Sequence, residues 1–358
     1  MSTHTAYKGR MVPVLSDHQH ITCTIISGIS SLLKPVLGIS LPVIAAFTCG
    51  CSKELPERKE KIAFSIVCDG TEHNVQMENV SVFSFDADSL GRLDAYQYFP
   101  HISDRIRIAT TSGRKHIYLC ANMNLTEEEI LSVNTMDDLK ERFCMLEDVR
   151  RKYPVMLGEI ETDTGIDMNP VINMKPMTSE IVLRSVCCCF QGTPYEGECI
   201  TDARIYLINV NAQCSLIESS KEMRRLVNIG MLSQEDIGYF REQDIIMQEI
   251  DQDIGEEPIC QDISLLCFHN FCADESPGSP FTRLVLEGKI QGETWYWPLT
   301  INRTEGGNGV RNNSRHVFDI KIRRKGSQDP DTELTIEECE IMMEVKEWKI
   351  KEESTVWF

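Results

Sequence analysis

From Lys61 onward the chain is a succession of short apolar stretches, rich in β-branched and aromatic residues and separated by Gly, Pro, Asn and Asp turns. That rhythm leaves little room for long helices and calls for a fold made of many short strands. Lys61-Ile-Ala-Phe-Ser-Ile-Val-Cys68 reads as the first strand, closed by Asp69-Gly70. Val80-Ser-Val-Phe-Ser-Phe85 and Leu93-Asp-Ala-Tyr-Gln-Tyr-Phe99 alternate with period two around the polar loop Asp86-Ala-Asp-Ser-Leu-Gly91, which predicts a hairpin. Arg105–Ile108 and His116–Ala121 continue the pattern.

A second strand-rich block begins near Glu180, with Ile181–Phe190, Ala203–Val210, Arg283–Gly288, Thr294–Ile301, Val317–Ile322 and Glu340–Trp348. Helix signals are few. Thr135 and Asp138 form an acidic capping box ahead of Leu139, Phe143 and Leu146, predicting a helix over 135–146. Residues 218–262 read as more helical and acidic, with Ser233–Asp236 as a helix start. The fold class is all-β: two tandem β-sandwich domains with short helical insertions, over 61–178 and 179–358, divided around Lys175-Pro176-Met177-Thr178-Ser179.

Ahead of these strands lies a segment of another kind. Pro35–Cys51 is uncharged and apolar, ends in Gly50-Cys51, and is followed by the polar Ser52-Lys53-Glu54. A hydrophobic core, a small residue before the cut and a cysteine to take the diacylglycerol make a bacterial lipoprotein signal. The run is short of the ~20 residues a membrane-spanning helix needs, and Pro35 and Pro42 punctuate it. Residues 1–50 are therefore expected to be an N-terminal extension and signal segment, cleaved between Gly50 and Cys51. Cys51 is the expected lipidation site, and 51–60 a charged linker.

Composition narrows the function classes. A net charge of −19 argues against a nucleic-acid partner, because a phosphate backbone needs a positive face. Of the fifteen cysteines, twelve follow Cys51, with no C-x-x-C and no repeated spacing. Most of those twelve are expected to be buried thiols packing as small hydrophobes, with at most a few bridged. Val186-Cys-Cys-Cys-Phe190 reads as strand filler of this kind. No G-x-S-x-G, H-E-x-x-H or P-loop occurs, so no catalytic residue, no cofactor and no metal site is expected. Asp86–Gly91 lacks the later ligands and closing Glu of a calcium loop, and reads as a hairpin turn. Cys267-Phe-His-Asn-Phe-Cys272 has no second pair to complete a zinc set, and reads as buried or bridged thiols.

Several pieces, in this order, carry a family resemblance: the Cys51 lipobox, Val82-Phe-Ser-Phe-Asp-Ala-Asp-Ser-Leu-Gly-Arg-Leu93, Ile117–Met123, Pro176-Met177 with Val182-Leu-Arg184, Trp295-Tyr-Trp-Pro-Leu299, Val310-Arg-Asn-Asn313, Phe318-Asp-Ile320, Gly326–Asp331 and Val345-Lys-Glu-Trp348. The chain resembles the FimB-type anchor family of type V fimbriae, in the fimbrillin superfamily. The resemblance implies transthyretin-like sandwiches and a structural, non-enzymatic role. It implies a lipidated base subunit at the outer membrane and cell surface, attaching the fimbrial shaft and joining shaft subunits by strand exchange. Shaft subunits of such fimbriae lose their first strand to a protease that cuts after a basic residue. Here Arg58, Lys59 and Lys61 are expected just before the first strand, in a solvated linker. At the other end, Ile350, Val356 and Phe358 share one parity, as a strand with one buried face requires. That segment reads as the closing edge strand of its own sandwich, or as the strand donated to a shaft subunit. The alternative function is a surface-exposed glycan- or ligand-binding lipoprotein, which would present Trp295, Tyr296 and Trp297 as an aromatic platform; the reading preferred for these rings is core packing.

Overall fold

The computed structural model describes residues 59–68, 76–102, 105–164, 166, 170–217, 226–271, 275–276, 279–302, 309–332, 334 and 339–347. Gly50, Cys51, Ile350, Val356 and Phe358 lie outside them.

The first part of the chain supplies β1 (Lys59–Cys68), β2 (Val80–Asp86), β3 (Leu93–Phe99), β4 (Arg105–Thr111), β5 (Arg114–Ala121), β6 (Phe143–Met145), β7 (Met156–Asp163) and β8 (Val171–Pro176). All but β6 belong to one seven-stranded sheet in the order β3-β2-β5-β7-β8-β1-β4. The predicted hairpin is β2–β3, paired from Val80↔Phe99 to Phe85↔Leu93 with a register shift after Ser84. Its turn is built by Asp88, whose Oδ1 accepts from the N–H groups of Leu90 (3.0 Å) and Gly91 (2.8 Å). Gly91 takes φ +53°, which a residue without Cβ adopts cheaply.

Strand β2 is buried on both faces. Val80 and Val82 pack with Ile106, Ile108, Ile117 and Leu119 inside the curled sheet. Phe83 and Phe85 point the other way, into a larger core with Tyr118, Val133, Leu139 and Leu146. The segment between β5 and β7 covers that outer face through α1 (Glu127–Leu131), α2 (Met136–Lys140) and β6, and this explains why apolar residues occupy both parities of β2.

The sheet curls until its two outer strands meet through side chains. Asp94 on β3 accepts from Thr110 Oγ1 and from the Thr111 N–H (2.7 Å) on β4. Lys115 on β5, 1% exposed, lies 3.0 Å from Asp94 Oδ2, also pairs with Asp86, and donates to Thr111 Oγ1 at 2.6 Å. Burial works to raise the Asp94 carboxyl, but the bonds from Thr110 and Thr111 and the Lys115 ammonium outweigh it and hold Asp94 below the usual range. Burial likewise opposes the Lys115 charge, and the two aspartates overcome it, keeping its pKa above the ordinary lysine value.

The second part supplies β9 (Ser179–Cys188), β10 (Thr201–Ile208), β11 (Gln213–Ser215), β12 (Met247–Glu249), β13 (Ile259–Cys267), β14 (Asn270–Phe271), β15 (Arg283–Ile290), β16 (Glu293–Thr300), β17 (Gly309–Val310), β18 (Ser314–Ile322) and β19 (Cys339–Glu347). Two four-stranded sheets, β13-β9-β18-β19 and β12-β10-β15-β16, contribute to one core that includes Leu183, Leu265, Phe318, Ile205, Leu286 and Trp297. Hairpin β15–β16 closes on Gln291-Gly292, with φ of 52° and 83°. Positive φ at both central residues makes the turn twist with its strands.

Helical expectations need correction. The Thr135–Asp138 capping box is present, but its helix ends at Lys140, and Phe143 lies in β6, 37% exposed, rather than on a buried helical face. A second capping box, Thr126 with Glu129, starts α1, which the sequence analysis does not anticipate. Within 218–262 the only α-helix among the described residues is α3 (Gln234–Gly238), capped by Ser233 as expected. The acidic residues there belong mainly to turns and to β12 and β13.

His316 on β18 is fully buried, with Nε2 2.8 Å from Ser314 Oγ. The single hydroxyl proton of Ser314 goes to the Arg311 carbonyl (2.7 Å), so the imidazole donates from Nε2, and Nδ1 has no hydrogen-bond partner. Burial, then the Arg311 charge, pushes the imidazole down to about 4. The unfolded chain takes the proton near pH 6.5 and the folded chain refuses it, so this residue's stabilising contribution is complete above about 6.5 and is lost as pH falls towards 4. The loss amounts to roughly 3 kcal/mol. Urea denaturation at pH 7 and pH 4.5 is expected to show a smaller drop for His316→Gln than for the parent chain.

Candidate assembly surface

Strand β1 comes first in the chain but sits inside the sheet. It pairs antiparallel with β4 from Lys59↔Thr111 to Ser65↔Arg105, and parallel with β8 from Ser65↔Val171 to Cys68↔Met174. Among the described strands it is the only one that hydrogen-bonds β4 into the sheet. Removal of β1 would leave a slot bounded by the edges of β4 and β8, whose backbone N–H and C=O groups would need another strand. The basic residues expected ahead of this strand are partly inside it: Lys59 and Lys61 lie opposite Thr111 and Ala109. Arg58 lies outside the described residues.

Among the described strands β19 lies at the edge of its sheet, paired with β18 alone from Ser314↔Glu347 to Ile322↔Cys339. Met342 on this strand is 66% exposed. The predicted closing strand, with Ile350, Val356 and Phe358, begins beyond this point, outside the described residues.

A cavity of about 1030 Å³ opens where β7 and β8 meet the second part of the chain, lined among others by Leu157, Val171, Met177, Leu216, His269 and Phe271. Beside it β7 and β8 pair at Met156↔Pro176 and Leu157↔Lys175. Sequence reasoning does not find this cavity, since its walls come from five stretches far apart in the chain.

The aromatic run lies in the core. Trp297 is 0% and Trp295 9% exposed, and Trp297 Nε1 donates to the Arg324 carbonyl at 3.1 Å. Tyr296, on the opposite face, packs partly buried against Tyr206, Ile208 and Val285. Lys325 Nζ lies over the rings of Trp295 (4.2 Å) and Tyr195 (4.7 Å), covering what exposed face remains. No platform for a sugar is formed by these rings.

Nine cysteines are present as unbridged thiols in this structure. Cys120, Cys144, Cys188, Cys214 and Cys267 are buried, Cys187 and Cys189 half-buried, and Cys199 and Cys260 exposed, so most of these nine are buried, as expected. Burial pushes the Cys120 and Cys267 thiols up to about 12, which leaves them unreactive. Cys272 lies outside the described residues. Among the described residues no three His, Cys, Asp or Glu side chains are grouped to hold a metal ion. In the Asp86–Gly91 loop, Asp86 is engaged by Lys115 and Asp88 by its own turn.

No family model matches this sequence, and no curated protein matches it. Solved structures do. A Bacteroides eggerthii protein named for a proposed role in cell adhesion superposes with a TM-score of 0.61 at 14% identity, over 82% of this chain and 97% of that one. A Parabacteroides distasonis protein named in the same way gives 0.58 at 15% identity, over 82% and 98%. The FimA fimbrilin of Porphyromonas gingivalis gives 0.58 at 13% identity, over 81% and 98%. At these identities the similarity concerns the fold, and along four-fifths of its length this chain has the fold of those fimbrial and cell-adhesion proteins.

Proposed function

We propose that this chain is a structural, non-enzymatic fimbrial subunit of the type V class. In this reading it is the lipid-anchored base that holds the shaft at the outer membrane. The domains span 61–178 and 179–358, each a transthyretin-like sandwich, and Cys51, exposed by cleavage after Gly50, carries the acyl chains. Subunits join by strand exchange. The observation that carries this is the position of β1, a removable first strand flanked on both edges by β4 and β8, in a chain with the fold of FimA. Main-chain hydrogen bonds from a donated strand would supply affinity in such a slot, and alternate side chains specificity. The C-terminal segment with Ile350, Val356 and Phe358 is the proposed outward connection to the shaft, because the N-terminus is committed to the membrane. The glycan-binding alternative gains nothing from the structure, since its aromatic residues are core residues.

Metabolic labelling with a fatty-acid analogue tests the anchor. One acyl chain binds a membrane only marginally, so stable anchoring needs several. Cys51→Ala is expected to abolish the label, move the protein out of the membrane fraction and shed fimbriae into the medium. Continued labelling of that variant would show the assignment to be wrong, and absence of the native chain from fimbrial fractions would sink the fimbrial role.

A further inference from the structure

Among the described strands, a single ladder joins the two parts of the chain: β6 with β11. Its central pair is Cys144 opposite Cys214. Two bonds bracket the pair, Leu146 N–H to the Ala212 carbonyl (2.8 Å) and Leu216 N–H to the Arg142 carbonyl (2.9 Å). Both lie two residues away, so Cys144 and Cys214 occupy a hydrogen-bonded site of the ladder. Opposed Cα atoms at such sites are about 5.5 Å apart, within the separation at which disulfides most often form. Opposed residues share one face of the ladder, so the two side chains leave their strands on the same side.

We propose that Cys144 and Cys214 form a disulfide that ties the two parts of the chain together across this ladder. The proposal rests on the reading that the chain is exported, since structural disulfides persist in oxidising compartments. Among the described residues the other buried thiols have no cysteine opposite them in a ladder: Cys120 faces Ser81 and Leu157, Cys267 faces Ser179, and Cys188 faces Ile322.

The environment divides the roles. Cys214 Sγ lies 3.6 Å from Nδ1 of His269, which is half-buried and lines the cavity of about 1030 Å³. The cavity admits a small disulfide as far as His269, whose imidazole lies beside the Cys214 thiol and can exchange its proton. Cys144 is the resolving partner. Its sulfur contacts Met177 Sδ (3.8 Å) and the Cys214 carbonyl (3.4 Å), and the Cys214 thiol together with burial pushes its pKa well above the ordinary range. The Cys214 thiolate attacks one sulfur of an external disulfide and expels a thiolate. The Cys144 thiolate then attacks the Cys214 sulfur and expels the second. The two protons released by the cysteines go to the two expelled thiolates, so the external disulfide is reduced to two thiols as the protein pair is oxidised.

Oxidised glutathione, added to the folded full chain purified under reductant, tests this. After alkylation and tryptic digestion, each of the two peptides concerned carries one cysteine, 143–150 and 205–221. The linked pair is expected to account for most of both, and the melting temperature is expected to rise by several degrees over the reduced protein. Cys144→Ala and Cys214→Ala should each abolish the link and the rise. Full recovery of both alkylated peptides from the oxidised parent chain overturns the proposal. Because purified protein is used, that result would leave the fimbrial reading standing. Absence of the chain from fimbrial fractions would leave the bridge standing.

Discussion

Replacing Lys115 with Met is expected to lower folding stability by roughly 3–5 kcal/mol, the cost of stranding a buried charge. Asp94 is 9% exposed and Lys115 is its cation; Asp86, 41% exposed, can turn to water. Thr110 and Thr111 would go on favouring the ionised form of Asp94, so the variant would bury a carboxylate without a counter-charge. The pH dependence separates this account from a plain packing defect. With Lys115 present, the Asp94 carboxyl is depressed, and its contribution is present above the unfolded value near 3.9 and lost as pH falls through the lower folded value. Without Lys115 the folded Asp94 takes its proton at higher pH. The stability gap between parent and variant should therefore narrow on acidification, as read by urea midpoints at pH 7, 5 and 4. A gap independent of pH would mean that the ammonium's charge is irrelevant. Lys115→Met with Asp94→Asn should recover part of the loss at neutral pH.

Trp297→Ala should cost a comparable amount, roughly 3–5 kcal/mol, through the cavity it leaves in the second core. The ring is fully buried, and its Nε1 donation to the Arg324 carbonyl holds the loop after β18 against β16. That loop comes very close: a Cβ on Gly326 would lie 2.0 Å from the Tyr296 carbonyl oxygen and 3.1 Å from a Trp297 ring atom. Trp297→Phe keeps most of the volume and loses the donor, so it should cost less than the alanine variant while leaving the Arg324 carbonyl without its partner. Equal losses for both variants would assign the effect to the hydrogen bond alone.

The parts of this fold legible in the sequence are those specified locally. The β2–β3 hairpin can be read because its strands alternate and its loop has the Asp and Gly the turn uses. The caps at Thr135 and Ser233 can be read because the acid three residues on answers the hydroxyl. Helix length is not local. After Lys140 the chain is taken into a ladder with β11, and that tertiary pairing outweighs the helical spacing of Leu139, Phe143 and Leu146. Lys115 carries no signal of burial in Arg114-Lys-His-Ile117, since the groups that receive it come from β2, β3 and β4. The opposition of Cys144 and Cys214 is invisible for the same reason. The first strand itself is evident in the sequence, but not its place between β4 and β8, because parallel pairing with β8 depends on a segment more than a hundred residues later.

That separation also sets the order in which the sheet can be completed. A chain emerging from its N-terminus delivers β1 first, and β4 soon after can receive it as an antiparallel partner. The parallel neighbour, Val171–Met174, arrives last of the sheet's strands. Loop-closure entropy must be met before this ladder returns any hydrogen bonds, and high-contact-order pairings of this kind form slowly. Until they form, one edge of β1 has no strand beside it and competes for any strand in reach, including one from another copy. The nascent chain therefore passes through an interval in which its first strand is a sticky edge, and conditions that prolong this interval should favour aggregation over the folded monomer.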